Sequence, residues 1–146
     1  MKKALLVLVV FLTFIRFASA HPWAPPDLGY VAGSDSVYLV KVISSASGPD
    51  SVHPAKITLA VTEVLRGPLQ SKFMLAAYED YDFKKDTEWI IFHNPSGFKD
   101  CVGWAMEGDC EWLPIPVTRD GDKVTAKWVG PLDTVKEYLR QHPYKP

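Results

Sequence analysis

The chain has 146 residues, of which 47% are hydrophobic and 23% charged, with a formal net charge of −1. That length holds one ordinary domain. The near-balance of charge offers none of the clustered basic character that nucleic acid or an anionic membrane surface needs, so neither is expected as a partner.

Residues 1–20 read as an export signal and stand outside the fold. Lys2 and Lys3 form a positive n-region, residues 4–15 an almost unbroken apolar run, and Ala18-Ser19-Ala20 an A-x-A cleavage site. The run is shorter than the ~20 apolar residues of a membrane span, and no later stretch approaches that length. The mature chain is therefore predicted to begin at His21, to carry no span, and to reach the periplasm or the medium. Lys2, Lys3 and Arg16 leave with the signal, which lowers the formal net charge by three, from −1 to −4. No cysteine follows the apolar run at the cleavage site, so no lipid anchor is expected.

Residues 21–36 carry Pro22, Pro25, Pro26, Gly29 and Gly33 and are predicted to form an extended arm. The rest, 37–146, is predicted to be a single β-barrel domain with a C-terminal helix. Residues 37–43 are dense in β-branched side chains and read as a strand. In 56–65, Ile57, Leu59, Val61 and Leu65 share one face while Lys56, Thr58 and Thr62 share the other, the pattern of a half-buried strand. Arg66-Gly67-Pro68 ends it, and 72–78 starts another. An acidic, aromatic loop over 79–87 precedes a short buried strand, 89–92, which Asn94-Pro95-Ser96-Gly97 breaks. Residues 112–117 and 123–128 flank Asp120-Gly121 and read as a hairpin, with Pro114 and Pro116 assigning its first arm to a sheet edge. Thr134-Val135-Lys136-Glu137 reads as a capping box opening a helix that buries Val135, Tyr138, Leu139 and His142, and Pro143 stops it.

Five or six short strands with one terminal helix predict a mainly β fold, a small antiparallel OB-like barrel capped by a C-terminal α-helix. The segments DSVYLVKV, ITLAVTEVLRGPL and DFKKDTEWIIF resemble the netrin-like domain shared with tissue inhibitors of metalloproteinases, over about residues 35–92. The resemblance implies a five-stranded OB-type barrel; with the export signal and the lack of a catalytic constellation in the sequence, an exported, non-enzymatic binding domain is expected, monomeric, with a protein or glycan ligand. It also raises metalloprotease inhibition as an alternative. Lys41 stands where the family has a Gly, Lys85-Asp86 where it has a Gly turn, and the family's N-terminal cysteines are absent.

Cys101 and Cys110 are the two cysteines, and an oxidising compartment predicts a disulfide between them. It closes a short loop and so pins one segment, contributing about 2–3 kcal/mol. His21 is the sharpest chemical candidate. Once cleavage frees its α-amino group, that nitrogen and imidazole Nδ1 can chelate Cu(II) together. Pro22 removes the next amide donor, so a third ligand is needed, and His93, at a strand end beside a tight turn, is the best placed. The carboxylates of 79–88 lack the glycine turn of a calcium loop and read as a solvated loop with Lys84 and Lys85. Trp104, Trp112 and Trp128, with Tyr81 and Phe83, are the candidates for a ligand-facing aromatic surface. No G-x-S-x-G elbow or Gly-rich phosphate loop is present.

Overall fold

The computed structural model describes residues 26–46, 55–77, 82–97 and 111–146. Among them lie seven strands and two helices, in the order α1 (Leu28–Ala32), β1 (Ser36–Ala46), β2 (Ala55–Arg66), β3 (Lys72–Ala77), β4 (Glu88–His93), β5 (Trp112–Asp120), β6 (Lys123–Ala126), β7 (Gly130–Pro131) and α2 (Leu132–Gln141). The strands form one antiparallel sheet in the order β3-β2-β1-β4-β5-β6-β7. The mainly β class with a C-terminal helix is as expected from the sequence. The signal, the residue His21 and the Cys101–Cys110 pair lie outside the described residues.

β1 sits at the middle, paired with β2 on one side and β4 on the other. Its alternation is apolar on both faces, so each face has its own core. Tyr38, Val40 and Val42 join Ile57, Leu59, Phe73, Leu75, Trp89 and Ile91 in an inner core. Val37 and Leu39 join Ile90, Phe92, Leu113, Ile115 and, from α2, Leu132, Val135 and Leu139 in an outer one. Three register shifts along the β1–β2 pairing bend the sheet, since each bulge adds local twist. The curl is strong enough that Phe73 on β3 meets Trp112 on β5 edge to face, centroids 5.4 Å apart, although three strands lie between them in the sheet. The inner core is thus wrapped as in a barrel, but β3 and β5 are not hydrogen-bonded to each other and the barrel does not close.

The prolines of β5 lie where its pairing changes. The strand is not an edge throughout, because β4 pairs along it and β6 pairs with it from Val117 to Asp120. At Pro114 and Pro116, however, only β4 is paired. The Pro116 carbonyl accepts from Lys127 N at 2.9 Å, so its polar groups, and those of Pro114 two residues earlier, point away from β4. Neither proline has an N–H to offer. Pro114 and Pro116 are therefore two successive positions of β5 with no donor on the side away from β4.

Two local expectations change. The arm over 21–36 is not extended throughout: Asp27 accepts from Gly29 N at 2.8 Å and Tyr30 N at 3.2 Å, an N-cap that opens α1 and lets Val31 bury. The capping box at Thr134 is not used either. α2 begins two residues earlier, behind Pro131, with no side-chain cap, and Glu137 instead accepts from Arg140 and Gln141. Proline just ahead of a helix needs no N–H partner, which lets the helix start there.

Arg66, at the end of β2, holds both helices. Its guanidinium donates to the carbonyls of Ala32 and Ser34 after α1, and of Leu139 and His142 at the end of α2, at 2.5–3.0 Å. Burial pushes its pKa below the ordinary arginine value, but it stays a cation. The neighbouring Gly67 has φ +100°, and a Cβ there would stand 2.8 Å from Ser36 Oγ and 3.1 Å from Ser36 Cα. Arg66→Lys, which replaces a planar fork by a point donor, is expected to lower unfolding free energy by about 2 kcal/mol or more. Gly67→Ala is expected to lower it by about 1–3 kcal/mol through backbone strain. Urea denaturation of both variants beside the parent measures these losses.

Candidate functional site

The residues singled out by sequence occupy different parts of the fold. His93 ends β4, between the starts of β1 and β5. Its Nδ1 lies 3.0 Å from Asp35 Oδ1, its Nε2 3.7 Å from Glu111 Oε2, and its ring is 4.6 Å from that of Trp112. Both ring nitrogens thus face carboxylates, and among the described residues no three of His, Cys, Asp and Glu are grouped to hold a metal ion. Trp112 is half-buried and packs on the inner core beside Phe73. Phe83, a candidate for an exposed surface, is buried in that core against Trp89, centroids 4.3 Å apart. The turn that places Asp86 at φ 70° carries it back under β1, tied by Asp86 N to Val42 O and Val42 N to Thr87 O.

Trp128 is not on a strand. β6 ends at Ala126, and Trp128 sits at φ 67° in the tight turn to β7, partly exposed beside the Lys127 ammonium, 4.8 Å from its ring. Tyr81 and Trp104 lie outside the described residues. Among the described acids of the 79–88 segment, each carboxylate has its own cation. Asp82 meets Lys84 at 2.8 Å, Asp86 meets Lys41 at 3.1 Å, and Glu88 takes a two-pronged pair of bonds from Arg119, both 2.9 Å.

The feature that sequence reading passed over is the outer face of β1, β2 and β3. Pairing sets it out in three rows: Lys41, Ala60 and Lys72; Ser44, Thr58 and Met74; Ala46, Lys56 and Ala76. α2 covers the outer face at Val37 and Leu39, but these rows lie further along β1 and β2. Met74 is 71% exposed at the centre of β3. Thr58 is directly opposite it, Lys72 precedes it on the same face, and Lys56 is its diagonal neighbour. The small side chains leave a flat floor from which one thioether and three ammonium groups project. Alternation in 56–60 signals that Lys56 and Thr58 share a face. Only the register, which is tertiary, puts Met74 and Lys72 beside them.

An open cleft of about 530 Å³ lies between the β5–β6 hairpin and the start of α2, over Leu39. Two of its cations are already held: Lys136 meets Glu63 at 2.7 Å, and Arg119 meets Glu88. No family model, curated protein or solved structure matches this chain.

The bonds from Arg119 are the main cause holding the Glu88 carboxyl below the ordinary glutamate range. A carboxyl depressed in the folded state contributes stability that is present above its unfolded pKa and is lost as pH falls through the folded one. Arg119→Gln is therefore expected to bring the Glu88 titration back toward the ordinary range, read by carboxyl NMR. The stability gap between parent and variant should be full near neutral pH and close in acid, read by urea midpoints across that range.

Proposed function

We propose that this chain is an exported, non-enzymatic binding domain of netrin-like type, whose ligand lies across the outer face of β1, β2 and β3. The observation that carries the reading is Met74, a large apolar side chain 71% exposed at the centre of β3, on a strand face otherwise made of lysines and small residues. Methionine is enriched in protein interfaces, whose apolar centre carries a polar, solvent-accessible rim. The strand order supports the fold half of the proposal: a central β1 paired with β2 and β4, and β3 brought round to β5, is the layout of a partly open five-stranded barrel. In OB barrels the face of strands 2 and 3 is where ligands lie. The export half rests on the signal pattern of residues 1–20.

A photo-crosslinking amino acid placed at Met74, and in a second variant at Thr58, tests the reading in the exporting cell. The same group at Glu137, on the exposed side of α2, is the control. A discrete adduct is expected from positions 74 and 58 and not from 137, on a chain whose N-terminal residue is His21. Adducts absent from both face positions, or equal at all three, would overturn the binding face. An N-terminus other than His21 would overturn the processing.

A further inference from the structure

We propose that the partner met by this face is an acidic protein segment carrying an aliphatic side chain among its carboxylates, laid across β2 and β3 over Met74. The inference rests on the binding-face reading above and adds the chemistry of what binds.

Charge comes first. Lys56 and Lys72 flank Met74 on adjoining strands, spacings that a sheet sets at roughly 5–8 Å between neighbouring Cβ atoms. Among the described residues neither lysine has an ion pair, whereas Lys41, the third, already holds Asp86 at 3.1 Å. No Asp or Glu stands in the three rows of this face. The mature chain is predicted to be net acidic, so this face has the opposite sign to the molecule as a whole and would orient an acidic partner on approach.

The remaining side chains select among acidic partners. Single-stranded nucleic acid on an OB face needs aromatic platforms for its bases, and none of the nine side chains in the rows is aromatic. Met74 has an unbranched, polarizable chain that adapts to an aliphatic partner. The flat floor of Ala60, Ala76 and Thr58 lets a polypeptide backbone lie close.

The test is a titration of ¹⁵N-labelled mature protein, beginning at His21, with a short synthetic peptide of Glu and Asp around a central Leu. A peptide of Ser and Gly around the same Leu is the control. A heparin-type oligosaccharide and an oligothymidylate are run in parallel. Amide shifts are expected at residues 56–60 and 72–76 with the acidic peptide alone. Affinity should fall about tenfold or more in Lys56→Glu/Lys72→Glu, persist in Lys56→Arg/Lys72→Arg, and weaken with salt. Binding that is indifferent to the charge reversal, or equal for the Ser/Gly peptide, overturns the inference. Shifts on the same amides from the oligosaccharide or oligonucleotide, without the acidic peptide, overturn the acidic partner and leave the binding face standing. No shift on this face from any probe overturns both.

Discussion

One guanidinium joins the parts of this molecule that the sheet alone would leave loose. Arg66 stands where β2 runs out and donates to the carbonyl ends of both helices. The last carbonyls of a helix have no partner within the helix and carry its negative end. A cation with planar, forked donors satisfies several of them at once. With α2 tied down, Val135 and Leu139 are held over Val37 and Leu39, and the outer core is sealed at that end. Further along the same sheet face, Met74 and Lys56 are exposed.

A second constraint is subtractive. The sheet curls far enough for Phe73 and Trp112 to touch, yet the ladder that would join β3 to β5 is missing. Pro114 and Pro116 leave β5 without donors on the side away from β4, with the bonds to β4 in place. Side-chain packing bridges the seam where backbone pairing cannot. Tyr38 supports the same region, packing edge to face on Phe73 and donating its hydroxyl to Pro68 O at 3.0 Å.

Much of the fold is legible in the sequence because its signals are local. Alternation in 56–65, β-branched density in 37–43 and the turn at Asp120-Gly121 each fall on an observed strand or hairpin. What escapes reading depends on context. Asp27 caps a helix of five residues that the surrounding prolines disguise. Thr134 and Glu137 have capping-box spacing, but Pro131 starts the helix before they can act. Arg66 reads as punctuation before Gly67-Pro68, and only folding brings it to residue 142. The candidate face is illegible for the same reason: Lys56 and Met74 become neighbours through the β2–β3 register. Phe83 shows the converse, an aromatic in an acidic loop that a left-handed turn at Asp86 returns to the core.

The seam also sets how the molecule breathes. Residues 37–40 of β1 and 89–92 of β4 are paired on both sides and buried, so their amides open to solvent only when the whole sheet comes apart. Among the described residues, the outer edge of β3 has no ladder to break. Its amides can exchange through a small outward swing of β3 against the Phe73–Trp112 contact, at a fraction of the free energy of global unfolding. The strand that carries Met74 is thus an easily displaced edge of the sheet, and a ligand that spans β2 and β3 would slow exchange there.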